Sequence, residues 1–122
     1  MAEVLTEGVG TEVDLISEAE QELELVRLEI DDIDRQIVEL LARRMQLTDG
    51  LVNTKNKIGP GTRDATRENQ VIQNWKDHAR ERGLDEGFAG EMAVETIGES
   101  SHRQSDIRVE LMRATRLVRL EQ

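Results

Sequence analysis

The sequence has no cysteine, a single proline and only two large aromatic side chains, Trp75 and Phe88. Without cysteine there can be no disulfide framework, no thiolate metal site and no cysteine nucleophile. Aromatic residues are enriched in strands, so an aromatic content of 2% with one helix-breaking proline favours helices over sheets. The composition therefore predicts an all-α protein.

Long apolar runs and net positive charge are also missing. No run approaches the roughly 20 residues that span a bilayer, and the acidic start Met1-Ala2-Glu3 lacks the basic region of a signal peptide, so we expect a cytoplasmic protein with no membrane partner. A net charge of -10 argues against binding nucleic acid, whose phosphates require clustered cations. An anionic ligand must then be held by local cations. With 122 residues, one domain is expected.

A heptad-like seam of aliphatic residues dominates the first half of the chain. Its members are Leu23, Val26, Ile30, Ile33, Ile37, Leu40, Leu47 and Leu51. The seam predicts one helix from about Ala19 to Lys57, roughly 60 Å long, which the rest of one short chain cannot cover. We therefore expect an intertwined homodimer, preceded in each chain by a flexible acidic tail over residues 1–18.

Helix-breaking and helix-capping residues divide the chain after the first helix into two further helices. The run from Ile58 to Thr62, with Pro60 between two glycines, is the strongest helix breaker in the chain. A second helix should begin at Asp64 and stop near Gly83, and Asp85 can cap a third helix that continues to near the C-terminus. The prediction is three helices: one long and two shorter.

Two cations interrupt or flank the aliphatic seam. Arg44 occupies a seam position, where a charge is costly unless an anion meets it. Lys55 lies eleven residues later and returns to within roughly 20° of the same face. The alternatives for Arg44 are a pair with a glutamate of another helix or a side chain that snorkels to the surface, and the alternative for Lys55 is an ordinary lysine favouring a helix C-terminus. Arg27 projects about 100° away from Arg44, so it would not serve the same pocket of its own subunit and could serve that of a partner.

Polar residues at four-residue spacing open the second helix and recur in the third. Asp64 and Glu68 face one way with Arg67 beside them, although an N-cap and a first-turn acid would look the same. Ser100 and Gln104 repeat the spacing, a common pattern on solvated helix faces. His78 and His102 have no second ligand at metal spacing, so we expect both at the surface and no metal site.

Several stretches of the chain resemble the all-helical chorismate mutase family. They are Val26 to Asp34 (VRLEIDDID), Leu40 to Arg44 (LLARR), Lys55, Arg63 to Glu68 (RDATRE) and Glu99 to Gln104 (ESSHRQ). The resemblance covers about residues 20–104. It implies a chorismate mutase domain over residues 19–104 and a C-terminal helical extension over residues 105–122, which would dock on the dimer or contact a partner enzyme.

The resemblance also implies an isomerase that rearranges chorismate to prephenate in aromatic amino acid biosynthesis, without a cofactor. By similarity, Lys55 and Gln104 hydrogen-bond the ether oxygen, and Arg44, Lys55 and the other subunit's Arg27 bind carboxylate. Asp64 and Glu68 would hold the ring hydroxyl. Arg67 and Ser100 would assist binding.

Two other classes of function remain open. Related helical enzymes act on isochorismate as pyruvate lyases or on 4-amino-4-deoxychorismate as mutases, and a non-catalytic regulatory module could keep the same fold. The acidic pair Asp64 and Glu68 can receive a 4-hydroxyl, which favours chorismate itself.

Overall fold

The computed structural model describes residues 11–58 and 64–121. Within these ranges the chain forms three helices and no strand: α1 (Glu12–Ile58), α2 (Ala65–Glu81) and α3 (Glu86–Glu121). The all-α prediction with one long helix and two shorter ones is confirmed. Residues 1–10 of the expected tail and residues 59–62 of the expected breaker lie outside the described residues.

Helix α1 begins at Glu12, seven residues before the expected start at Ala19. The side-chain oxygen of Thr11 accepts a hydrogen bond from the backbone nitrogen of Asp14 at 3.2 Å, as an N-cap residue does. Glu12 and Asp14 place negative charge in the first turn, where it complements the helix dipole. Residues 12–18 are therefore helical rather than part of a tail, because a local cap sets the helix start and the aliphatic period does not.

The connection between α2 and α3 follows the expected signals. Asp64 is the N-cap of α2, and after Glu81 the chain turns through Gly83 at φ 72°. The backbone nitrogen of Leu84 bonds the carbonyl of Ala79 at 2.9 Å, and that of Gly83 bonds Arg80, which is the Schellman pattern. The side chain of Asp85 then caps α3 by accepting from the nitrogen of Phe88 at 2.8 Å.

Small side chains form the contact between α2 and α3. Ala79 of α2 and Ala89, Gly90 and Ala93 of α3 are all buried. A Cβ atom added at Gly90 would lie 2.7 Å from Cε of Lys76, so the lysine side chain of α2 lies directly against this glycine. This packing positions α3 against α2, and both helices contribute residues to the candidate site.

The chain divides into two units between Ala42 and Arg43. The first contains α1 up to Ala42, and its apolar side chains, including Ile33 and Ile37, are exposed in the single chain. The second contains the end of α1 together with α2 and α3, and its buried residues include Val52 and Ile97. In the part of the chain that is described, none of the helices has the length and apolar character needed to cross a membrane.

Candidate active site

The second unit contains an open cavity of about 630 Å³, a volume typical of small-molecule sites. The end of α1, the start of α2 and the middle of α3 line it. Seven of the eight predicted site residues contribute to its wall: Arg44, Lys55, Asp64, Arg67, Glu68, Ser100 and Gln104. The two pairs related by helical spacing, Arg44 with Lys55 and Ser100 with Gln104, therefore line the same cavity.

Arg44 contacts a hydroxyl group on α3. Its Nη1 donates to Oγ of Ser100 at 3.2 Å, and Ser100 Oγ lies 3.1 Å from the carbonyl oxygen of Thr96, to which it can donate. Ser100 is buried, so its own position is fixed. A hydroxyl carries no negative charge, and this hydrogen bond therefore orients the guanidinium without neutralising it.

Lys55 and Gln104 form the second link across the cavity. Nζ of Lys55 donates to Oε1 of Gln104 at 2.9 Å, and both side chains are half-buried. Because the amide oxygen accepts from lysine, the amide nitrogen is the atom of Gln104 that can donate to a ligand. An ammonium and an amide N–H group thus lie within reach of one acceptor atom.

The start of α2 supplies the acidic wall. Oδ1 of Asp64 accepts from the backbone nitrogen of Arg67 at 3.0 Å, so the capping role is real and the same residue also lines the cavity. Glu68, one turn later, is half-buried in the wall. The guanidinium of Arg67 donates to Gln70 at 2.8 Å along the exposed surface of α2. The cavity is therefore lined by cations and an amide from α1 and α3 and by two carboxylates from the start of α2.

An ion pair that sequence reasoning missed joins α1 to α3 beside the site. Arg103 donates to Asp49 through Nε at 3.0 Å and also through Nη2. The hydrogen bond from Arg103 lowers the pKa of the Asp49 carboxyl below its ordinary value, and the same contact raises the pKa of Arg103. Because Arg103 precedes Gln104, this pair helps to hold Gln104 opposite Lys55.

Arg108 is a further cavity residue that the sequence did not single out. It lines the wall, and its Nε is buried without a hydrogen-bond partner among the described residues. A buried donor without a partner is costly, so this atom can gain from an anionic or polar ligand. The available signal was spacing, since Ser100, Gln104 and Arg108 are each four residues apart on α3.

The other predicted positions fall away from the cavity. His78 and His102 are exposed, as expected. Arg27 belongs to the first unit and is absent from the cavity wall, so its role from a second subunit stays a prediction. Among the described residues there is no cluster of three or more histidine or acidic side chains that could hold a metal ion.

Comparison with known proteins decides the family. Residues 26–105 match the family described as chorismate mutase type II. The chain belongs to this family. It is also 30% identical over 68 residues to a chorismate mutase of Methanocaldococcus jannaschii, an alignment that covers 56% of this chain and 69% of that relative. No solved structure matches. Family membership makes the chain a chorismate mutase, an isomerase that forms prephenate for aromatic amino acid biosynthesis.

Proposed function

We propose that chorismate binds and rearranges in the cavity between the end of α1, the start of α2 and the middle of α3. The observation that carries this proposal is that the hydrogen-bonded pair Lys55–Gln104 and the acidic residues Asp64 and Glu68 line the same cavity. Chorismate is a dianion with a ring hydroxyl and an ether oxygen, so it needs cations, donors and acceptors at separate places. The cavity offers that combination.

The reaction requires only orientation and charge stabilisation from these groups. One C–O bond breaks and one C–C bond forms within a single molecule, and no proton or electron leaves or enters. Lys55 and the amide nitrogen of Gln104 donate to the ether oxygen, where negative charge develops as the C–O bond breaks. An acceleration of about a millionfold corresponds to roughly 8 kcal/mol, which several charge-assisted hydrogen bonds and fixed geometry can supply.

The remaining residues bind and orient the substrate. Arg44, oriented by Ser100, binds a carboxylate. Asp64 and Glu68 accept from the ring hydroxyl and select the reactive conformer, with Arg67 assisting from the rim. Glu68 thereby contributes to catalysis by fixing the ring. We assign these residues to a mutase domain over residues 19–104.

We further propose that the active species is a homodimer with shared sites. Helix α1 has 47 residues, about 70 Å, and its seam residues Ile30, Ile33 and Ile37 are 49%, 53% and 44% exposed in a single chain. Burying each such side chain is worth roughly 1.5–3 kcal/mol, so a second α1 laid along the seam stabilises the assembly strongly. Arg27 of the neighbour then completes the cation set around the substrate.

Substrate identity is tested by incubating the purified protein separately with chorismate, isochorismate and 4-amino-4-deoxychorismate and following loss of the diene absorbance. We expect turnover of chorismate to prephenate at the highest kcat/KM, because Asp64 and Glu68 accept from a hydroxyl. Substituting Glu68→Ala should reduce this turnover far more than it lowers the free energy of unfolding, to which a first-turn acid contributes about 0.3–1 kcal/mol through the helix dipole. Preference for either analogue, or no turnover of any of the three, contradicts the assignment.

The shared site is tested by mixing two inactive variants, Arg27→Ala and Lys55→Ala. Each homodimer lacks one cation in both sites. In a heterodimer one site has both cations and the other has neither, so unfolding and refolding an equal mixture should restore roughly a quarter of wild-type activity. Heterodimers that form, as shown by two affinity tags, but stay inactive would disprove sharing.

A further inference from the structure

Two helical stretches lie beyond the residues used in the proposed mechanism, and their charges are complementary. Residues 12–26 of α1 contain six acidic side chains and no basic one. Residues 107–120 of α3 contain four arginines, of which Arg108 lines the cavity, and one glutamate. An acidic helix and a basic helix attract each other and steer association between the surfaces that carry them.

Both stretches also expose large apolar side chains. On α1, Val13 and Ile16 are 74% and 53% exposed, and on α3, Met112 and Val118 are 66% and 55% exposed. Continuous apolar exposure on a helix indicates a surface that another helix covers. Exposed apolar side chains and opposite charges make residues 12–26 of α1 and residues 107–120 of α3 suited to pack against each other.

We propose that residues 107–120 of α3 pack antiparallel against residues 12–26 of α1 from a second copy of the chain. This inference rests on the proposed shared site. If Arg27 of the neighbour reaches the region of Arg44 and Lys55, twofold symmetry places Arg27 of the first chain in the same relation to the neighbour. Arg27 of each chain can reach the Arg44 and Lys55 region of the other chain only when the two α1 helices run antiparallel and cross between Arg27 and Arg44.

The course of α3 brings its extension to the same place. Arg44 contacts Ser100 and Lys55 contacts Gln104, so α3 advances towards the C-terminal end of α1. An antiparallel α1 of the neighbour, followed from Arg27 towards its N-terminus, advances in that direction too. The 17 residues from Gln104 to the helix end at Glu121 span about 26 Å, and the 15 residues from Arg27 back to Glu12 span about 22 Å. The two stretches therefore match in length.

The pairing also predicts which faces meet. Thr115 is eleven residues after Gln104 and Ile16 is eleven before Arg27, so each lies within roughly 20° of the face that points to the shared site. Arg119 and Glu12 are each fifteen residues from the same reference residues and lie at the edges of these faces. We expect Thr115 to lie near Ile16 of the second copy and Arg119 near Glu12 of the second copy.

Cross-linking tests the contact directly, because the sequence has no cysteine of its own. Thr115→Cys and Ile16→Cys variants are unfolded together, refolded and treated with a short bismaleimide. A covalent heterodimer is expected. Glu18→Cys replaces Ile16→Cys as the matched control, since Glu18 is nine residues from Arg27 and faces the opposite way. Cross-linking no greater than in this control overturns the proposal.

Charge reversal gives an independent measurement. Arg119→Glu should raise the dimer dissociation constant about tenfold, equivalent to about 1.4 kcal/mol over the two symmetric contacts, and adding Glu12→Arg should restore it. Arg113→Glu, on the opposite face of α3, is the matched control and should leave it unchanged. Equal effects of the two reversals, or no rescue, overturn the proposal.

Different results would contradict the shared active site and the docking of α3 on the second copy. If mixed Arg27→Ala and Lys55→Ala variants recover activity but Thr115→Cys and Ile16→Cys do not cross-link, the shared site stands and the docking of α3 is wrong. If the variants form heterodimers without activity, the shared site is wrong and the docking loses its geometric basis. A monomer in sedimentation overturns both.

Discussion

Replacing Gln104 by glutamate tests the central interaction of the site. In the structure Oε1 of Gln104 accepts from Lys55 at 2.9 Å, and the amide nitrogen can donate to the substrate whatever the pH. A carboxyl group of the same shape donates only when it is protonated. Gln104→Glu should therefore make the rearrangement dependent on acid.

The size of the effect follows from the fraction of protonated carboxyl. An unperturbed glutamate has a pKa of about 4.3, so at pH 7 about one molecule in 500 is protonated. The ammonium of Lys55 beside it lowers the pKa of the introduced carboxyl further, because it favours the anion. We expect kcat at pH 7 to fall at least 500-fold, and to recover about tenfold per pH unit as the pH is lowered towards 5.

The assay is the initial rate of chorismate consumption for wild type and Gln104→Glu between about pH 5 and pH 8. In this range the Asp49 carboxyl stays ionised, because Arg103 holds its pKa below the ordinary value. Gln46→Glu adds the same charge at an exposed position of α1 and should keep the wild-type profile. A Gln104→Glu enzyme with full activity and a flat profile would show that Gln104 does not donate to the ether oxygen.

Three further outcomes follow from the structure. Arg103→Ala should lower the free energy of unfolding at pH 7, because the ionised Asp49 loses its partner. The difference from wild type should disappear as the pH falls below about 3.9 and through the lowered pKa of Asp49. A difference in urea unfolding that persists in stronger acid would contradict this ion pair. Arg108→Ala should raise KM about tenfold, because it removes from the cavity wall a buried donor that has no partner among the described residues, and steady-state kinetics showing an unchanged KM would remove Arg108 from the site. Gly98→Ala should stabilise α3 by about 0.5–1 kcal/mol in urea unfolding, since no atom lies within 4 Å of the added Cβ; a loss of stability would mean that another chain covers this face.

Helix ends can be predicted from the sequence wherever a local capping signal is present. Asp64, Gly83 and Asp85 set the ends of α2 and the start of α3 through caps that involve neighbours only a few residues away. The start of α1 was misplaced because Thr11 caps a turn that precedes the aliphatic seam, and such a seam reports burial rather than helix ends.

The sequence also determined which side chains share a helix face. Regular spacing related Arg44 to Lys55 and Ser100 to Gln104, since a helix returns to the same direction at fixed intervals. Spacing alone could not distinguish an N-cap from a substrate ligand at Asp64. The structure shows that the residue caps α2 and lines the cavity as well.

Which helix faces contact each other could not be predicted from the sequence and is seen in the folded chain. The hydrogen bonds between Arg44 and Ser100 and between Lys55 and Gln104 join residues 56 and 49 positions apart, and no local propensity specifies such partners. The ion pair of Asp49 with Arg103 and the inward position of Arg108 depend in the same way on how α3 lies against α1. The position of α3 against α2 is likewise a tertiary property, because small buried residues lie between these helices and side-chain volume, rather than periodicity, sets how closely two helices pack.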